Sequence, residues 1–286
     1  MTFFFDCLGN EINSISLLLE EKELILTGDK VHSYNLNTNT LEAIQALEFN
    51  DGQLNACVNN QDKEIIFLNN NVFSKYNFAF DKISEDNILS LEDNVVIDEI
   101  VVNEENKHVY GISNNSGILF HFNNEFKIMH KMEIVVPLLI KVFNSNLYML
   151  LTGDGNSSIE KRGKNRIIED EKSYICIYSQ KGEENIKFRK KIILDVLIRP
   201  NNFHVDENYI FIFSRYSNKH RLINFKSHIF LFSHDGIFLQ KTGLDINDNV
   251  RTKFLIVDNE TIYCADYITI ERKGYVVKNF YRLDFN

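Results

Sequence analysis

The chain of 286 residues contains no tryptophan, two prolines, four methionines and four cysteines. Each scarcity excludes something. Two prolines in this length leave no proline-rich linker, so composition offers no hinge between domains, and the expected organisation is a single domain over residues 1–286. Cys7, Cys57, Cys176 and Cys264 are far apart and form no CxxC pair, which argues against a redox motif or a zinc ribbon. A chain this long needs no disulfide staples, so these residues read as thiols in a reducing compartment. The opening MTFFFDCLGNEI has no basic region and only a short apolar run, so it does not read as a signal peptide. No later segment approaches the roughly 18 apolar residues that a helical membrane span requires. The expectation is a cytoplasmic protein without a membrane span, or a secreted one if a leader preceded the given chain.

Catalytic signatures are missing as well. There is no GxSxG, no P-loop, no HExxH and no GxGxxG after a strand, and the eight histidines are scattered. No cofactor is implied.

What is present is strand and turn chemistry. Apolar runs of four to seven residues, rich in Ile, Val, Phe and Tyr, alternate with Asn, Asp and Gly, and hardly any stretch has helical period. One unit recurs: an apolar strand, a polar turn, a second strand ending in small or polar residues, and a third with aromatics. Its first copies are SISLLLEEKELILTGDKVHSYNLNTNTLEAI (Ser14–Ile44), LNACVNNQDKEIIFLNNNVFSKYNFAFDKI (Leu54–Ile83) and IDEIVVNEENKHVYGISNNSGILFHFNNEFKIMHKM (Ile97–Met132). Further copies begin at Leu138, Asn201 and Val250. Six copies average roughly 48 residues, close to the ~40–50 of a four-stranded propeller blade. The last copy has three strands, and the segment Thr2–Asp6 is a spare strand at the other end. The expected fold is an all-β, six-bladed β-propeller of four-stranded blades, its ring closed by the N-terminal strand.

The stretch ENYIFIFSRYSNKHRLINFKSHIFLFSHDGIFLQKTGLDINDNVRTKFLIVDNETIYCADY resembles the TolB-like six-bladed propellers, through Ile229, Phe232, Gly236, Leu244, Asp245, Asp258, Ile262 and Tyr263. The chain departs from that family in lacking a secretion signal and in having Ser233 where an aspartate is usual. The resemblance covers about 60 residues and implies a fold rather than an activity.

The blades are expected to differ in their loops. GDGNSSIEKRGKNRIIEDEK (153–172) joins the second and third strands of the fourth unit; SRYSNKHRLINFK (Ser214–Lys226) and ITIERKG (ending at Gly274) hold the same place in the next two. Insertions in repeat proteins gather on one side, often the binding side. Residues 1–150 hold nine lysines, no arginine and 22 acids, a net of −13, whereas 151–286 carry a net of +4 with all nine arginines. The candidate binding residues are Arg162, Lys164, Arg166, Arg215, Lys219, Arg221, Lys226, Arg251, Lys253, Arg272 and Lys273. Arginine's planar fork suits carboxylate or phosphate, and a basic rim on an acidic body steers anions. The expected partner is an acidic protein surface or a small anionic ligand. A net charge of −9 argues against nucleic acid.

An alternative follows from six-bladed propellers that are calcium- or zinc-dependent lactonases or esterases, with the metal held by Glu, Asn and Asp at the channel ends of inner strands. Hard cations do take oxygen ligands. The comparable residues here are Asp98, Glu99, Asn202 and His204, with no other metal or catalytic residue indicated. Lys141 and Lys253 at equivalent positions would repel a divalent cation.

Overall fold

The computed structural model describes residues 2–3, 12–28, 30–38, 40–44, 47, 49, 54–87, 95–134, 137–151, 173–181, 185–195, 200–217, 225–244, 250–258, 261–269 and 275–284. Among these every regular element is a β-strand.

Five sheets are each built from four consecutive strands in antiparallel order. The first contains β2 (Ile12–Leu18), β3 (Glu23–Gly28), β4 (Val31–Asn35) and β5 (Thr40–Ala43). The second contains β6 (Leu54–Asn59), β7 (Glu64–Asn69), β8 (Val72–Asn77) and β9 (Lys82–Asn87). The third contains β10 (Glu99–Asn103), β11 (His108–Ser113), β12 (Ile118–Phe122) and β13 (Ile128–Glu133). The fourth contains β14 (Pro137–Phe143), β15 (Asn146–Leu151), β16 (Tyr174–Lys181) and β17 (Asn185–Ile193). The fifth contains β18 (Pro200–Val205), β19 (Ile210–Ser217), β20 (Phe225–Phe232) and β21 (Phe238–Leu244). A remaining four-stranded sheet is composite: β22 (Val250–Asp258), β23 (Thr261–Thr269), β24 (Tyr275–Asp284) and, at its edge, β1 (Thr2–Phe3). The first strands of successive sheets contact one another in order, β2–β6–β10–β14–β18–β22, and β22 returns to β2. This is a β-propeller.

The expectation of a six-bladed propeller is corrected. The structure defines five complete blades of consecutive strands, and a composite sheet whose edge strand has two residues and pairs only through Thr2 with Arg282 and Phe3 with Tyr281. The rest of the expected closing strand, up to Asp6, lies outside the described residues.

Burial explains why the strands have these sequences. Second strands such as β3, β7, β11 and β15 are covered on both faces by adjacent sheets, so their burial runs unbroken and their sequences (ELILTG, EIIFLN, NLYMLL) do not alternate. Fourth strands are the wet perimeter, and β13 is largely exposed. Separate apolar cores fill successive seams. Ile25, Leu54 and Phe67 join the first and second sheets, and Ile66, Phe73, Val109 and Phe122 join the second and third. Tyr110, Leu119, Leu147 and Tyr174 join the third and fourth, and Tyr148, Ile175, Phe203 and Phe230 the fourth and fifth. Aromatic pairs knit the seams further: the Phe73 and Phe126 rings stack at 4.3 Å across the second. Offset aromatic contacts add about 0.5–1.5 kcal/mol to area burial.

Candidate functional site

Two parts of the ring offer polar chemistry: the connections between second and third strands, and the innermost strands around the axis. The connections differ in length, and the fourth sheet's far exceeds the rest. In the first three sheets they are residues 29–30, Asn70–Asn71 and 114–117. In the fourth, fifth and composite sheets they are residues 152–173, 218–224 and 270–274. Strand order therefore puts the three long connections at the same place in three successive sheets.

Among the candidate binding residues, Arg162, Lys164, Arg166, Lys219, Arg221, Arg272 and Lys273 lie outside the described residues. The backbone positions of the others are defined. Arg215 on β19 faces Ser227 across the ladder, and Lys226 on β20 pairs with Tyr216, so both sit where the strands run into the 218–224 connection. Arg251 on β22 pairs with Tyr267, and Lys253 falls at the register shift between Thr252 and Phe254. Both are on the inner strand beside β18.

The innermost strands carry the residues of the metal alternative, and here the side-chain geometry is defined. Glu99 opens β10 and reaches across to the next sheet: one carboxylate oxygen accepts the Ile140 N–H at 2.9 Å, and the other accepts Lys141 Nζ at 2.9 Å. A strand residue has thus become a clamp between the third and fourth sheets. Asp98, just before it, accepts the Asn114 N–H at 2.6 Å and ties the start of β10 to the turn between β11 and β12. Burial raises the Asp98 carboxyl above its ordinary range; the Asn114 hydrogen bond opposes this, and the Glu99 charge adds to it. The Asn202 side-chain oxygen accepts the Phe203 N–H at 2.8 Å.

His204 sits two residues further along β18. Burial and then the Lys141 charge push its imidazole down to about 4, with Asp206 acting in the other direction. It is therefore neutral at physiological pH. Cys57 on β6 is a buried free thiol, driven far up by burial, with Lys141 the opposing charge. Lys141 is thus the cation to which Glu99, His204 and Cys57 respond, from three different inner strands.

This arrangement does not assemble a cation cage from described residues. Both Glu99 oxygens are engaged, one by an ammonium that a divalent ion would have to displace. Among the described residues no group of three or more His, Cys, Asp or Glu side chains is placed to hold a metal. Nor is any helix among them long and apolar enough to cross a membrane.

Lys141 can be assigned to the channel from its place in the repeat but its partner cannot, because a clamp between residues 42 apart leaves no local pattern. The cations of β17 belong beside the candidate binding residues. Lys187, Arg189, Lys190 and Lys191 are all exposed, extending the positive character of the fourth sheet onto described residues. The run KFRKK was the available signal.

No family model matches the chain, and no curated protein does. Solved structures do. A protein of unknown function from Bacteroides caccae is 10% identical, with a TM-score of 0.58, over 86% of this chain and 84% of its own. A gluconolactonase from Xanthomonas campestris, described as important in glucose secondary metabolic pathways, is 9% identical with a TM-score of 0.59, over 98% of this chain and 89% of its own. At such identity the likeness is one of fold.

Proposed function

We propose that this propeller is a non-catalytic binding module. Its second-to-third-strand connections on the fourth, fifth and composite sheets take an acidic protein partner or a small anionic ligand. The cations that make contact are Arg162, Lys164, Arg166, Arg215, Lys219, Arg221, Lys226, Arg251, Lys253, Arg272 and Lys273. The observation that carries the reading is the coincidence of length, topology and charge. The three longest connections of their kind occupy the same place in adjacent sheets, and most of these cations lie in them or at the strand ends beside them. On a chain of net charge −9 such a zone focuses the field and selects anionic surfaces. Nucleic acid is excluded from the proposal by that same overall balance. The reading assumes a cytoplasmic protein, in keeping with free Cys57 and Cys176.

The test compares the intact protein with one lacking residues 155–170 and with R215E/R221E, using immobilised poly-glutamate and affinity capture from cell extract. Retention that falls with added salt and is lost in both variants supports the module; retention indifferent to salt and to both changes rejects it.

A second reading is favoured by the fold likeness to a gluconolactonase: a divalent-metal-dependent hydrolase of lactone or ester type using Asp98, Glu99, Asn202 and His204 in the channel. It requires Lys141 to leave Glu99. Calcium or zinc at 100 times its dissociation constant would then stabilise the fold by about 2.7 kcal/mol, and EDTA would reverse the gain. A Tm unmoved by calcium, zinc and EDTA, with no hydrolysis of gluconolactone, removes this reading.

A further inference from the structure

Three histidines lie on successive strands of the third sheet, at the seam with the fourth. His108 on β11, His121 on β12 and His130 on β13 are separate in sequence, and His121 and His130 are opposite each other in the ladder. His108 Nδ1 and His121 Nε2 are 2.8 Å apart. The Tyr110 ring lies flat on His121, with centroids 4.9 Å apart and planes 14° from parallel. Tyr110 belongs to the core shared with Ile140, Leu147 and Met149 of the fourth sheet. His121 is fully buried, and its other nitrogen, Nδ1, has no hydrogen-bond partner among the described residues.

We propose that the His108–His121 pair is an acid latch on the seam between the third and fourth sheets: closed, it can hold only one added proton, whereas opened it holds two. The geometry sets the count. Between nitrogens 2.8 Å apart there is room for a single hydrogen, which one ring donates and the other accepts. Two imidazolium rings would direct an N–H at each other. Even that one added proton is costly: with one hydrogen shared between the rings, both outer nitrogens must then carry hydrogens, and the His121 Nδ1–H points into packed core with no acceptor among the described residues.

Among the described residues the charges that act on His121 are those of His108 and His130, and both repel a proton; burial, the largest cause, and these charges bring it down to about 4. Facing groups on the third sheet are Asn103, opposite His108, then Tyr110, and on β13 His130 and Met132, whereas Lys131 and Glu133 pair with Phe120 and Ile118 on the opposite face of the sheet. From the fourth sheet come Tyr174, Cys176 and Tyr178, with Lys191 above the Tyr174 ring at 3.8 Å. Burial raises the Cys176 thiol and pushes the Tyr178 hydroxyl up to about 12, so neither supplies a negative charge at neutral or acid pH.

Opening therefore takes up at least one proton once the pH falls below the ordinary histidine value of about 6.5. Each further pH unit multiplies the open population about tenfold, or roughly 20-fold between pH 7 and 5. The fourth-sheet strands that pack on this seam are β14, β15 and β16, of which β15 leads into the long 152–173 connection. The latch does not depend on what that connection binds.

Hydrogen exchange by mass spectrometry on the full chain at pH 7 and 5, corrected for intrinsic exchange, tests this. Opening of β11–β13 and β15–β16 should rise about 20-fold, with a smaller change in the first and second sheets. His121→Phe should fold with the seam closed and lose the response. If that variant fails to fold, His108→Gln, which leaves only one titratable ring in the pair, should lose it instead. His204→Phe, on β18 of the fifth sheet and outside the histidine pair, should keep it. A response spread evenly over all sheets, no response, or one that survives in the folded His121 or His108 variant overturns the latch.

Discussion

Gly236 shows how much one residue can be constrained here. It adopts φ +83°, a left-handed conformation that costs little only for glycine. It also closes the turn from Ser233 tightly against the fourth sheet, where an added Cβ would lie 2.4 Å from Ile192 Cγ2 and 2.9 Å from the Ile193 carbonyl oxygen. Gly236→Ala meets both penalties, strained backbone and collision with backbone, and should lose about 2–4 kcal/mol in urea unfolding. A loss under about 0.5 kcal/mol would mean that the turn relaxes freely. His204 makes a different demand. Its folded value is depressed to about 4 while the unfolded chain titrates near the ordinary 6.5, so the unfolded state binds more protons between these limits. Stability is therefore full above about pH 6.5, falls as the pH drops towards 4, and changes no further on this account below that. The slope attributable to one such histidine is about 1.4 kcal/mol per pH unit. His204→Phe should remove one proton's worth of slope between pH 6 and 4.5, measured as urea midpoints across a pH series. An unchanged slope would show that Lys141 and burial do not hold His204 neutral.

At the scale of elements the hairpins carry the information. Strands and tight turns could be read directly, because period-two patterns and Asn-rich turns are local. Asn70–Asn71 and Asn144–Ser145 each place two consecutive residues at positive φ, the two-residue hairpin that asparagine tolerates best. The contacts between hairpins could not be read, since each partner is some forty residues away. Asn60 illustrates this. Its side-chain oxygen accepts the Leu19 N–H at 2.9 Å from the first sheet, while its own N–H donates to Glu104 Oε1 of the third at 2.9 Å. Nearby, Lys63 pairs with Glu20 at 2.6 Å and Lys107 with Asp62 at 3.1 Å, the former in open solvent. These links differ in worth. Lys63→Met should leave the urea midpoint nearly unchanged, since an exposed pair gains little and salt screens it. Asn60→Ala removes a side-chain bridge between blades, and since water can take up the exposed Leu19 N–H, a loss of about 0.5–1.5 kcal/mol is expected. Equal losses for the two, measured by urea unfolding in low and high salt, would contradict that ranking. The innermost strands were legible to a similar degree: Glu99, Asn202 and His204 lie on first strands of their sheets and Asp98 just before one, but the Glu99–Lys141 clamp arises only when two sheets meet.

The whole molecule joins an acidic part, residues 1–150, to a part with all the arginines, and in between it must complete a ring. The repeat made the ring legible. The uneven sheet was harder to judge, because the length of a pairing between chain segments almost 280 residues apart is not written in either segment. In the structure β24 is ten residues long, and β1 covers only its Tyr281–Arg282 portion. An open strand edge is a template for pairing with another chain. Removing residues 1–3 would take away the pairing that the described residues make on the outer edge of β24 while leaving the β22–β2 contact to hold the ring. The truncated protein should stay folded, with a Tm lower by a few degrees, because about 1–2 kcal/mol of ladder and side-chain pairing is lost. It should also self-associate in a concentration-dependent way in sedimentation velocity, where the full chain does not. Lys substituted at Tyr281 in the truncated form should suppress that association, since charge on a free edge opposes pairing. If the truncated chain sediments as the intact one does, with the same Tm, β1 contributes nothing to closure and the β22–β2 contact alone completes the ring.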